Sequence, residues 1–527
     1  MALRENALAL RSAVVVPFLD LDRAAPDAAF AAKIANSLQR RIEATAPARI
    51  EVADPGSVLN WSATNVIQVA DKPAKARALV TGTVRTVGAK KRISLRLLNA
   101  ATGDTLFARA WEVAPTVSSE VNAEVAAGLD SILSTAHWLP VAEAGNDPVY
   151  RNAVAKEAIL AGRDLLSHTP TVSDCDKAIA LFKNAVENAP DSGLAHASLS
   201  GVAAGRTHYN GDLSFLVLAE AEANKALELA PELPDAHRAK AGVYYQQGKF
   251  REALEEQLRA IEVGGVEERT LRFIAHSVAT LGRPDEALNW CRIPLSAAPV
   301  PGVRYVVIGD NWASLTDDDR ALKAYRRAVE LTPNSPDPFI GVSRFHLLQR
   351  DFRGARECLA KAPHNREELG ELDQFAAQIE FFARDYRRAE QLYRELFQKD
   401  PDGGGSFWGA VTFRSALARI TQETGPADEA DRFLAESLER SSARAAREPE
   451  NPEALYRLAA VETISARTGS ALQHLQEAFR FGWIDYRSLQ LDPRFDRLRS
   501  EPEFERLVKE MSDSVTQMRV AAQERSQ

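Results

Sequence analysis

The sequence predicts a mainly α protein: an α-solenoid of about nine helical hairpins preceded by a small α/β domain. Three observations predict it. Prolines and small residues recur with a 34-residue phase through the second half of the chain, and two rows of alanine keep that phase. Before residue 140 the apolar spacing changes from helical to alternating. The boundaries that follow are 1–140 for the α/β domain, 148–485 for the array, and 486–527 for a C-terminal capping helix and tail.

In the first domain, Ala13 to Leu19 is a continuous valine-rich run that predicts a buried strand. Pro26 to Ala44 reads as an amphipathic helix with Phe30, Ile34, Leu38 and Ile42 on one face. Ile50 to Ala53 is a second strand. Arg77 to Thr86, Arg92 to Asn99 and Thr105 to Val113 alternate as strands, with turns at Val87–Lys90 and Ala101–Asp104. Val117 to Leu133 is expected to be a helix leading into the array.

Within the array, Pro231, Pro299, Pro333 and Pro401 are separated by 68, 34 and 68 residues, and Gly265 and Glu367 fill the two skipped slots. Twelve residues before these slots stand Ala219, Ala253, Ala287, Ala321, Ala355 and Ala389; five before them stand Ala226, Ala260, Pro294, Ala328, Ala362 and Leu396. Alanine is required where one helix touches its neighbours closely, since a larger side chain there overpacks the contact by about 1–3 kcal/mol. Proline ends each second helix. The unit from Gly302 to Ser335 shows the whole pattern: Tyr305, Ile308, Gly309 and Trp312 on one helix, then Ala321, Tyr325, Ala328 and Pro333. Extra residues fall near Ser167–Ser173 and Thr207–Leu213, and the second helix marked by Ala430 and Leu434 is expected to run on through Arg447. After the array, Leu491-Asp492-Pro493-Arg494-Phe495, Pro502, Phe504 and Leu507 predict a short amphipathic helix covering the last hairpin.

The unit from Gly302 to Ser335 resembles the tetratricopeptide repeat family, which implies two antiparallel helices per unit and a concave face lined by the first helices. The N-terminal segments Val14-Val15-Val16-Pro17-Phe18, Leu79 to Arg85 and Arg92 to Gly103 resemble the TolB-like domain that precedes such arrays in bacterial signalling proteins, and Asp492 to Phe495 resembles the end of the same family. In that family a winged-helix or nucleotide-cyclase effector often comes first. Twelve residues before the first strand leave room for neither, so the resemblance implies a regulatory or interaction region.

Net charge is −8; residues 1–140 carry +3 and the remainder −11. An acidic array repels phosphate backbones, and Lys90-Lys91-Arg92 is the densest basic cluster, so no nucleic-acid partner is expected. Cys175, Cys291 and Cys358 form neither a disulfide framework nor a metal spacing. No apolar run is long enough to cross a membrane or serve as a signal peptide, which predicts a cytoplasmic protein. There is no phosphate-binding loop and no Gly-x-Ser-x-Gly elbow; Asp402-Gly403-Gly404-Gly405 reads as a turn between repeats. His196, His237 and His346 occupy first-helix packing slots, and Cys291 the slot of Tyr325. No catalytic, cofactor or metal site is therefore assigned, and the chain is expected not to be an enzyme.

The binding residues follow from the concave rows. One and five positions beyond the Tyr305 slot lie Arg238, Arg272, Val306, Ile340 and Gln374, then Gly242, His276, Asp310, Arg344 and Gln378. Arg238, Arg272, His276 and Arg344 make a basic strip inside an acidic array, suited to carboxylates or an acidic peptide, with Asp310 and Gln378 beside it. The lysine and asparagine pattern of carboxylate-clamp members is absent. The expected function is a scaffold or adaptor holding a partner peptide or helix in the groove. The alternative is the ligand-sensing region of a signalling protein, of transcription-regulator or cyclase type, without its effector.

Overall fold

A computed structural model describes residues 12–16, 18–43, 49–52, 78–99, 105–113, 147–166, 172–210, 213–265, 267–293, 302–363, 370–401, 403–404 and 410–525. The expected helix at Val117–Leu133 and the turn at Ala101–Asp104 lie outside them. The N-terminal part is a seven-stranded mixed sheet. Strand β1 (Ser12–Val15) runs parallel to β4 (Arg49–Val52) on one side and β5 (Ala78–Val87) on the other. Strand β2 (Phe18–Asp20) continues beside β5 and pairs antiparallel with β3 (Ala25–Asp27). Strands β6 (Lys90–Asn99) and β7 (Thr105–Val113) extend the β5 side as a meander. The single strand expected over Ala13–Leu19 is thus divided, and the sequence between the halves carries Pro17, which has no N–H to give a ladder. Helix α1 (Ala28–Glu43) packs on β4, β1 and β2.

The array follows as nine hairpins among the described residues. They are α2 (Ala153–Leu165) with α3 (Val172–Asn188), α4 (Gly193–Asn210) with α5 (Leu213–Leu229), and α6 (Pro234–Gln246) with α7 (Phe250–Gly264). Next come α8 (Glu268–Thr280) with α9 (Pro284–Cys291), α10 (Gly302–Ser314) with α11 (Asp318–Leu331), and α12 (Asp337–Leu348) with α13 (Phe352–Leu359). The last are α14 (Glu371–Phe382) with α15 (Tyr386–Lys399), α16 (Phe413–Thr424) with α17 (Ala427–Arg447), and α18 (Pro452–Ile464) with α19 (Thr468–Phe481). The seven extra residues near Thr207 lengthen both helices of the second hairpin instead of forming a long loop.

The six alanines of the first row are each 0–1% exposed, the contact their spacing demands. Tyr325 shows how tight the stacking is: a Cβ on Gly309 would lie 2.5 Å from its ring, and one on Gly341, in the next hairpin, 2.4 Å. The turn inside each hairpin also repeats. Gly248, Gly282, Thr316, Arg350 and Arg384, 34 residues apart, all have φ between 58° and 79°. Asp317, Asp351 and Asp385 then cap the second helices by accepting from the backbone N–H three residues on.

First helices of successive hairpins pack against one another through most of the array, whereas second helices do so less, so the first helices line the inner side of the curve. The sheet sits on the array: Val16, Leu19, Leu21 and Ala24 share a core with Leu258, Ile261, Ile274 and Trp290. Buried Arg85 donates to Glu262, and to Glu255 at 2.6 Å, while Arg92 stands 3.2 Å from Glu262.

Candidate inner groove

The array does not stay open. Its C-terminal residues return to the turns of the earlier hairpins. A Cβ on Gly282 would lie 2.7 Å from the Cα of Gly482, and one on Gly248 would lie 3.0 Å from the Cβ of Asn451. Arg487 donates to both oxygens of Asp318 at 2.9 Å, Arg384 to Asp496 at 2.7 Å, and Arg419 to the Pro493 carbonyl at 3.1 Å. The segment doing this is α20 (Tyr486–Leu491), a 3-10 turn (Pro493–Leu498) and α21 (Pro502–Glu524). The helix expected to be short has 23 residues, and its far end reaches hairpins 4 and 5. The Asp492–Phe495 motif forms the anchor: Arg494 holds Asp492 at 2.6 Å, both fully enclosed, and Tyr456 donates to the same carboxylate at 3.1 Å. Tyr456 also stacks on Trp483, ring centroids 4.0 Å apart.

This closure divides the expected binding residues. Arg344 is buried, 3.3 Å from Asp485, and shares a cluster with Asp310, which accepts from the Tyr325 hydroxyl at 2.7 Å. Burial pushes the Asp310 carboxyl up to about 6, with the Arg344 charge and the Tyr325 hydroxyl acting against it. Gln378 is buried. Arg238 is held by Asp235 at 3.0 Å and Glu267 at 3.2 Å. Arg272 is half-buried over the Phe273 ring and makes no ion pair among the described residues. His276 is exposed, its ring 5.5 Å from that of Tyr245. Of the basic strip expected from spacing, Arg238 and Arg344 are thus held by internal carboxylates, Arg272 is half-buried and His276 is exposed.

Around that pair the inner face stays open. Phe273 is 40% exposed, and a Cβ on Gly201 or Gly205 would meet nothing within 4 Å. Further along, Glu371 is exposed to water yet surrounded by protein, as a groove-lining residue is; burial and the neighbouring Asp337 charge push it up to about 7. Asp337, whose carboxyl burial pushes up, also feels the lowering charge of Arg272.

Histidines at the packing slots carry a recurring device. His196 lies between Glu222 at 2.5 Å and the Pro190 carbonyl at 2.9 Å; His237 lies between Glu256 at 2.7 Å and the Pro231 carbonyl at 2.8 Å. In each, both ring nitrogens face acceptors. At His196 desolvation opposes protonation, but Glu222 and the carbonyl raise the ring above its ordinary value. Cys291 is buried, which pushes its thiol up to about 12. Among the described residues no group of three or more His, Cys, Asp or Glu is placed to hold a metal, and no helix is long and apolar enough to cross a membrane.

Sequence reasoning missed Asp485, Arg487, Arg519 and Arg525, because the partners of closure lie some 140 to 240 residues away.

The fold is an α-solenoid of tetratricopeptide type behind a small α/β sheet. No family model and no curated protein matches the chain. Similar solved structures include a human IFIT1 dimer with PPP-AAAA, at 16% identity over 62% of this chain and 73% of that one, with a TM-score of 0.38. Pseudomonas aeruginosa PilF is similar at 15% identity over 54% and 97%, with a TM-score of 0.25. YrrB, a TPR protein with an unusual peptide-binding site, is similar at 19% over 34% and 89%, with a TM-score of 0.26.

Proposed function

We propose that the protein is a non-catalytic scaffold that holds a partner protein, as an extended peptide or helix, in the part of the inner groove spanned by hairpins 2 to 4. The observation that carries this is exposure on the inner side: the C-terminal segment engages Arg344, Arg384 and Arg419 of hairpins 6 to 8 and the turns of hairpins 3 to 5, while Phe273 and His276 stay exposed and Arg272 half-exposed beside them. A ligand with an acidic or aromatic stretch suits that face, because guanidinium pairs with carboxylate and stacks on rings. In this reading the protein works in the bacterial cytoplasm as a regulatory adaptor. Affinity enrichment with wild type and with Arg272→Glu/Phe273→Asp tests it. Partner recovery is expected to fall at least tenfold in the variant, and equal recovery would reject the groove.

A second reading has its own support. The N-terminal sheet, which resembles the TolB-like domain, is fastened to α7 through buried Arg85 and Glu262. A ligand bound by the sheet would have a rigid connection to the array, as a sensory region requires. Thermal shift of the full chain against metabolite pools separates the readings: a response abolished by Arg85→Met without loss of folding favours sensing.

A further inference from the structure

The two halves of α21 are held differently. Phe504, Leu507, Val508 and Met511 belong to the core built with α18 and α19. Beyond them the helix crosses to hairpins 4 and 5, where Ala522 is seated among Leu288, Trp312, Ala313 and Leu315, and Met518 is only partly buried. Val515 is enclosed as well, and the rest of the grip is polar. Arg519 donates to the Thr316 hydroxyl at 2.7 Å, Gln523 to Asp317 at 2.8 Å, and Arg525 to Asp285. Such partly exposed polar contacts each contribute little. Arg525 also brings its charge beside that of Arg292, which donates to its carbonyl at 3.3 Å. The outer face is open, with Val520 48% exposed.

We infer that hairpins 4 and 5 carry a helix-docking site that residues 512–525 occupy as a releasable strap. Its partner in trans is an amphipathic helix of the same chemistry: small apolar residues along one stripe, with an arginine placed for Asp285 and polar donors placed for Thr316 and Asp317. The apolar seat accepts a methyl-sized side chain between Leu288 and Trp312, and the carboxylates on its border select a basic helix over an acidic one. This site is separate from the groove face of hairpins 2 to 4, and its test uses only this chain.

In the full-length protein, Ala522→Asp places a carboxylate in the apolar seat. Hydrogen exchange of amides 515–525 is then expected to quicken at least a hundredfold, while 504–511 and α18 keep their protection. A fluorescent peptide of residues 508–527 is expected to bind this variant at least tenfold more tightly than wild type. The same peptide carrying Arg519→Glu and Arg525→Glu should not bind. Should Ala522→Asp fail to fold, Arg519→Glu/Arg525→Glu in the full chain frees the strap through its polar grip. Loss of protection through α18 and α19 together with the strap, or equal or absent peptide binding to wild type and variant, overturns the inference.

Discussion

Arg494→Met takes the counter-charge from a carboxylate that has no access to water. Asp492 and Arg494 are 0% and 1% exposed. Nη2 of the arginine lies 2.6 Å from Asp492, Nε lies 3.1 Å from both carboxylate oxygens, and Nη1 reaches Ser415 Oγ at 3.1 Å and the Ala410 carbonyl at 3.3 Å. After the substitution Asp492 retains the Tyr456 hydroxyl and the backbone N–H of residue 494, so it stays partly hydrogen-bonded while its charge is uncompensated. Breaking a buried pair from one side costs about 3–5 kcal/mol. In a stacked array that loss falls on the nearest hairpins first. Amide exchange in α18 and the 3-10 turn should therefore quicken by roughly two to nearly four decades, at about 1.4 kcal/mol per decade, while α10 and α11 change little. Replacing both partners, Asp492→Leu with Arg494→Met, should recover more than half of the loss, because no buried charge is left. A single-variant loss below about 1 kcal/mol, or a double variant worse than the single, would refute the latch.

Four further outcomes follow from other parts of the fold. The stabilisation from the raised His196 is fully present below its unfolded value, about 6.5, and is lost as pH rises through the folded value; His196→Gln should flatten the fall in urea midpoint between neutral and alkaline pH. Gly309→Ala presses a Cβ into the enclosed Tyr325 ring and should cost about 1–3 kcal/mol by urea unfolding. Arg350→Gly relieves a left-handed residue at φ 60° and should be neutral or stabilising by up to about 1 kcal/mol in the same assay, whereas Gly282→Ala, facing the Gly482 backbone, should destabilise.

The hairpins were legible because each one solves the same packing problem with the same residues. Ala219 to Ala389 at 34-residue steps are the contacts themselves, and Gly309 marks the seat of Tyr325. The extension of α17 to Arg447 could likewise be read from its pattern. A further signal was in the sequence but unread: Thr316-Asp317, Arg350-Asp351 and Arg384-Asp385 keep the phase, and the aspartate cap offsets the strain of a left-handed residue before it. Where Lys249 and Arg283 stand in place of aspartate, the strained position is glycine instead.

The groove was less legible, because its state depends on closure. Spacing places Arg344 on the concave row, but says nothing of Asp485, 141 residues later, or of the Gly282 contact with Gly482. No period links these residues; they meet because the curvature of stacked hairpins accumulates until hairpin 9 and the residues after it reach hairpins 3 to 5. Likewise the valine-rich N-terminal run predicts strand, while its division depends on which part of β5 each half pairs with.

The closed array is tested most directly by joining Arg251 to Glu450. Their side chains are 69% and 62% exposed and 3.6 Å apart, and they belong to hairpin 3 and the approach to hairpin 9. In an open solenoid with helix layers about 10 Å apart, they would stand roughly 50 Å from each other. With Arg251→Cys and Glu450→Cys, a short bismaleimide should give an intramolecular cross-link in most molecules, confirmed by peptide mass and absent from either single variant. Failure of the double variant to cross-link above the single-variant level would contradict the closed array.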